Sequence, residues 1–182
     1  MMKHCLIIAG ILLVMSTAAF AAGDTLAATQ TFNTIVDSMA VLHSNGAPSP
    51  VTLEILAPAT GGAVPADVTA TASLAYTNIQ SAAFKIGAKI SSGTVPVGTL
   101  LKLVSAAPAA QYGAPGAAAT QITLNGTTSQ PIVTAIGSCA TGTSAGAALT
   151  YTFGIDAANW ATLVPAATAP ITVTYTLSSS GG

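Results

Sequence analysis

Few side chains in this sequence could do chemistry. The 182-residue chain carries two His, two Cys, four Lys, no Arg and five acidic residues. Gly142-Thr143-Ser144-Ala145-Gly146 matches the G-x-S-x-G pattern of a nucleophile elbow. That pattern needs a strand before it, a helix after it, and an acid and then a His downstream. The only His beyond the first few residues is His43, a hundred or so positions upstream. Cys139 and His43 could in principle form a thiolate–imidazole dyad, but no cationic residue adjoins Cys139 in sequence to lower its pKa. A buried, inert Cys139 and a solvated His43 are the simpler expectations. The carboxylates are scattered, without calcium-loop or zinc-ligand spacing. Trp160, with Tyr112 as a second candidate, could stack on a sugar, although a lone amphipathic ring more often seals a core edge. Asn125-Gly126-Thr127 fits a glycosylation acceptor and equally a tight Asn-Gly turn. The expectation is a protein that is not an enzyme, with no cofactor, no catalytic residues and no metal.

The elements that would position these groups start with an address. In residues 1–21, Lys3 and His4 precede an apolar stretch at 5–15, and Ala19-Phe20-Ala21 supplies a small-x-small cleavage site, the pattern of a secretory signal peptide. Its removal would leave 161 residues beginning at Ala22. Cys5 would go with it, leaving Cys139 without an intramolecular partner, so the exported chain must hold together without a disulfide. So few cations cannot build the phosphate-neutralising patch of a nucleic-acid binder. No apolar run reaches the roughly 18 residues of a spanning helix, so no membrane span is expected. The abundance of Val, Ile and Thr with little charge is the opposite of a disordered composition.

Period-two alternation runs through the rest, the mark of half-buried strands. Val68, Ala70, Ala72, Leu74 and Tyr76 share one face of 67–77, and Phe84, Ile86, Ala88 and Ile90 one face of the next strand. Leu149, Tyr151, Phe153 and Ile155 repeat the pattern, and Ile171, Val173, Tyr175 and Leu177 form a candidate C-terminal core strand. Shorter candidates lie at 51–56, 99–104, 120–124 and 132–136, and 35–42 reads as strand rather than helix. Asn45-Gly46 and Asn125-Gly126 are expected to turn the chain tightly. Some eight short strands with turns between them predict an all-β, immunoglobulin-like β-sandwich in a single domain.

The two ends carry a resemblance. The stretch 31–55 has Val36-Asp37, an apolar run at 39–42, the Asn45-Gly46 turn, and Pro48 and Pro50 before the next strand. The final strand alternates apolar residues with Thr and ends near Tyr175. This resembles the colonisation-factor (alternate) class of chaperone–usher pilus subunits, with Ser38 where that class favours Pro. The resemblance covers about 35 residues, judged on strand pattern. It implies a sandwich at 37–182 that lacks a strand and is completed by a donated N-terminal strand at 22–36 from a neighbouring subunit. Leu26, Ala28, Phe32 and Val36 would be the docking residues of that arm. Gln30 and Thr34 interrupt the apolar series, so sequence leaves the register open. The implied partners are identical subunits in a homopolymer, a periplasmic chaperone and an outer-membrane usher. The implied location is an extracellular fimbrium reached through the periplasm, serving surface adhesion or biofilm. The rival expectations are a self-complete immunoglobulin-like cell-surface or matrix protein, and a carbohydrate-binding adhesin module.

Overall fold

Strands with one apolar face cannot stand alone in water and must close that face against a second layer. The structure, a computed structural model, describes residues 39–46, 51–143, 146–163 and 170–180. The chain divides into two units, Met1–Val36 and Asp37–Gly182. The first unit, with residues 1–21 and the arm residues Leu26, Ala28, Phe32 and Val36, lies outside the described residues.

The second unit is two antiparallel sheets over one core. The first sheet is built from β1 (Ala40–Gly46), β2 (Val68–Asn78), β4 (Thr99–Ser105), β5 (Tyr112–Gly113), β7 (Ile122–Thr123), β9 (Cys139–Ala140) and β10 (Ala147–Ile155). Its order is β5-β9-β2-β10-β4-β7, with β1 also paired to β2. The second sheet runs β11-β3-β8-β6, from β11 (Thr172–Ser179), β3 (Phe84–Ser92), β8 (Gln130–Ile136) and β6 (Ala117–Ala118). The all-β, two-sheet expectation therefore holds. The four long alternating runs became β2, β3, β10 and β11, and Leu74, Tyr76, Leu103 and Leu149 of the first sheet share one buried cluster with Ile86, Ile132 and Val133 of the second.

Three local expectations need correction. Residues 51–56 keep the alternation, with Leu53 and Ile55 half-buried, but belong to no ladder among the described residues. Asn45-Gly46 forms the end of β1, opposite Ser73 and Ala72, and not a tight turn. Of 120–124 only Ile122–Thr123 pairs. Periodicity reports which face is apolar, and it carries no information on whether a neighbouring backbone is within reach.

Asn125 does organise a turn: its Oδ1 accepts from the N–H groups of Thr127 at 3.0 Å and Thr128 at 2.8 Å. A register shift in the β3–β8 ladder, from Phe84–Ile136 to Ile86–Val133, marks a bulge. Within it Ala135 takes a left-handed backbone, φ 54. Gly146, φ 127, lets the chain enter β10 against the Leu74 carbonyl, where a Cβ would collide with backbone. Only glycine suits both demands.

Candidate functional site: an open rim of the sandwich

The core is closed at one end and ajar at the other. On β10, Leu149 is 1% exposed, whereas Tyr151 and Phe153 on the same face are only half-buried. On β2, Leu74 and Tyr76 are buried and Val68, Ala70 and Ala72 are not.

The closed end is tied by polar contacts. Tyr76 N–H donates to Thr141 Oγ1 at 2.9 Å, and the Tyr76 hydroxyl donates to the Pro115 carbonyl at 2.6 Å. Buried Asn78 donates through Nδ2 to the Gly137 carbonyl at 3.1 Å and accepts from Gln80 N–H at 3.1 Å. Each of these satisfies a group whose burial would otherwise be unfavourable.

At the other end the described strands overlap only in part. β10 covers one edge of β2 from Val68 to Leu74, and β1 covers the other only from Ala72 to Asn78. Residues 68–71 therefore have no ladder partner on the β1 side among the described residues. Among the described residues β11 pairs with β3 alone, and its outer edge has no ladder partner. β1 and β11 lie near one another, which puts both open edges on one side of the sandwich. The extended segment 51–58 adds Leu53 to the rim, and together with Ala66, Asp67 and Val68 its Glu54 and Leu56 line a shallow cleft of about 330 Å³. Asp67 lays its carboxylate over Gly154, where any side chain would displace it.

The C-terminal strand residues are part of this rim. Ile171 immediately precedes β11, and Ile171, Val173, Tyr175 and Leu177 pack half-buried against the core cluster. The Tyr175 hydroxyl meets that of Tyr151, joining the two sheets. Sequence reasoning missed this pair. Its only signal was two tyrosines in otherwise aliphatic or Phe-bearing alternations, on strands whose pairing partners were unknown.

The residues with chemical potential are kept apart. Cys139 lies in β9 opposite Asn78 on one edge of β2, and His43 lies in β1 opposite Ala75 on the other, so β2 separates them. Burial pushes the Cys139 thiol up, against the partial opposition of a hydrogen bond with the Asn78 backbone. Gly142–Gly146 leads into strand β10, so the helix required of a nucleophile elbow is replaced by a strand. Ser144 itself lies outside the described residues. Among the described residues no group of three or more His, Cys, Asp and Glu comes together. None of their helices is long and apolar enough to cross a membrane.

Trp160 is 47% exposed on a 3₁₀ turn, Ala157–Thr162, capped by Asp156 Oδ1 accepting from Ala158 N–H at 3.0 Å. Tyr112 pairs with Ala140, level with Thr77 near the Asn78 end of β2, while Trp160 follows β10 beyond the Val68 end. At about 3.3 Å per residue the two rings are roughly 30 Å apart, too far to share one sugar.

Burial also lifts three phenols above their ordinary value of 10.0: Tyr76, with a smaller push from Cys139; Tyr151, partly offset by its bond to Tyr175; and Tyr175, lifted further by that bond. The sign follows directly. A folded-state pKa above the unfolded value means the unfolded chain releases protons first, so this stability is fully present below the unfolded pKa and is lost as pH rises through the folded values. The melting temperature is expected to be level up to about pH 9.5 and to fall steeply above it. A thermal melt series in alkaline buffers checks this, and a melting temperature unchanged to about pH 11 would contradict the burial of these hydroxyls.

No protein-family model matches this chain, and no curated protein or solved structure is significantly similar to it.

Proposed function

We propose that this chain is a non-catalytic structural subunit of an extracellular filament, polymerising by strand addition. In this reading the sandwich at 37–182 has immunoglobulin-like topology and lacks one strand. The neighbour's segment 22–36 fills the gap. The chain is exported through the periplasm with its leader removed, and a chaperone and usher handle it there as in the pilus subunits its ends resemble.

The observation that carries the reading is the half-open core. Among the described residues, the stretch 68–71 of β2 has no ladder partner on its β1 side, the outer edge of β11 has none, and the extended segment at 51–58 joins no ladder, and these surround exposed parts of Tyr151, Phe153, Val173 and Leu177. Strand edges beside an apolar groove are what β-augmentation uses: main-chain bonds give strength and alternate side chains give selectivity. Left unfilled, such edges invite uncontrolled pairing. The near absence of charge suits a segment that must be dried when the groove closes.

A second reading has its own observation. The closed end is fully satisfied, with no unpartnered buried side-chain polar atom among the described residues, which favours a self-complete immunoglobulin-like surface protein. One experiment separates the two. The mature full-length chain, run unheated in SDS, is expected to give a ladder that collapses to monomer on boiling, with filaments visible by negative stain. A monomer in both assays at high concentration would leave the self-complete domain as the better account.

A further inference from the structure

We propose that Tyr151 and Tyr175 form an oxidative cross-linking site, at which a peroxide-driven one-electron oxidant couples the two rings into dityrosine and joins the sheets covalently. The contact between their hydroxyls carries this, independently of strand addition.

The chain has four tyrosines, and the fold gives them different surroundings. Tyr76 is 2% exposed, and its hydroxyl is committed to the Pro115 carbonyl. Tyr112 is 68% exposed on the short strand β5, level with Thr77 at the same end of β2. Tyr151 lies opposite Ala70 of β2, toward the other end, and Tyr175 lies opposite Ala88 of β3. Of the four, Tyr151 and Tyr175 meet hydroxyl to hydroxyl, and they do so from different sheets.

Oxidative coupling of phenols begins at the hydroxyl and ends at the ring carbon beside it. Each ring gives up one electron and its O–H proton, and the two radicals join through a new bond between those carbons. Each carbon then sheds its hydrogen and each phenolic oxygen regains one, which restores both aromatic rings. The net loss is two electrons and two protons, which hydrogen peroxide takes up in becoming two waters. In the product the hydroxyls lie side by side, close to the relation that Tyr151 and Tyr175 already have. Holding two phenols in contact replaces a bimolecular encounter with a unimolecular step, an advantage equivalent to a very high local concentration. Both rings are half-buried at the ajar end of the core, so a small oxidant can reach them and each ring has room to rock.

Such a bond would supply a tie that this part of the fold lacks. Cys139 is free and buried, so among the described residues no disulfide joins the sheets. β10 and β11 belong to separate ladders and are held to each other by side-chain packing and this hydroxyl contact. A cross-link between residues 24 apart in sequence restricts the unfolded chain as a disulfide of similar span does.

The test treats the full chain, at high dilution, with a haem peroxidase and hydrogen peroxide. The expected product is a monomer lighter by two hydrogens, with dityrosine fluorescence and a linked pair of peptides containing Tyr151 and Tyr175. Its melting temperature should rise by roughly 5–10 °C, the effect of a cross-link of this span in a domain of this size. Tyr175→Phe should abolish all three changes in the monomer. Tyr112→Phe should leave them intact and suppress only the dimers coupled between chains. Dityrosine confined to dimers, a linked peptide pair that omits either residue, or a monomer that loses two hydrogens equally well with Tyr175→Phe would overturn the assignment. The peptide map of the unmutated chain decides even where a Tyr175→Phe chain fails to fold.

Discussion

A mature chain lacking residues 22–36 is expected to be folded and wholly unable to polymerise. The reason lies in where the core is. Among the described residues the most deeply buried side chains include Leu74, Ile86, Leu103, Ile132 and Ile136, in the second unit. In the strand-addition reading the arm serves the neighbour and not this core, so its removal leaves the subunit's own core in place. It subtracts the strand that a neighbour would receive, so ladders and filaments should vanish entirely. A synthetic peptide copying 22–36 should then raise the melting temperature of the shortened chain, because any ligand specific to the folded state shifts the equilibrium by mass action. A stable monomer whose melt ignores a large excess of peptide would show that the rim is not an acceptor groove.

The second large effect separates core from rim by a single substitution in each. Ile86 on β3 is 0% exposed, at the centre of the cluster. Ile86→Asp would bury an unpaired carboxylate at a cost of several kcal/mol, of order the whole stability of a domain, about 5–15 kcal/mol. No folded protein is expected. Val173 on β11 lies on the same sheet opposite Ile90, yet remains half-buried at the open edge. An Asp there can turn its charge to water while the groove is unfilled, so Val173→Asp should fold with a lowered melting temperature and fail to accept a strand. Far-ultraviolet circular dichroism with the ladder assay reads both quantities. Equal unfolding by the two substitutions would mean that the β11 edge is as enclosed as the centre, contrary to the half-open rim.

The sequence by itself determined the layer structure. Alternation at period two assigns each side chain to a wet or dry face, and chain-long alternation without helical caps leaves sheets packed on sheets. That is why β2, β3, β10 and β11 were legible almost to the residue. The sequence also shows how few side chains could do chemistry: two His, two Cys and no Arg.

What only the tertiary structure decided was pairing and its gaps. Residues 51–56 alternate as well as β4 does, yet only β4 has neighbours on both sides, at β10 and β7. The short bridges β5, β6 and β9 have no periodicity to detect and exist because long loops pass a sheet edge. The pairing of β1 with β2, from Ala72 to Asn78 among the described residues, depends on a register that composition cannot carry. The meeting of Tyr151 with Tyr175 likewise depends on two strands from different sheets facing each other across the core. Faces are a local property of a strand, set by the direction of successive Cβ atoms. Edges and gaps depend on which backbone segments, distant in sequence, come within hydrogen-bonding distance, and that is settled only when the chain has folded.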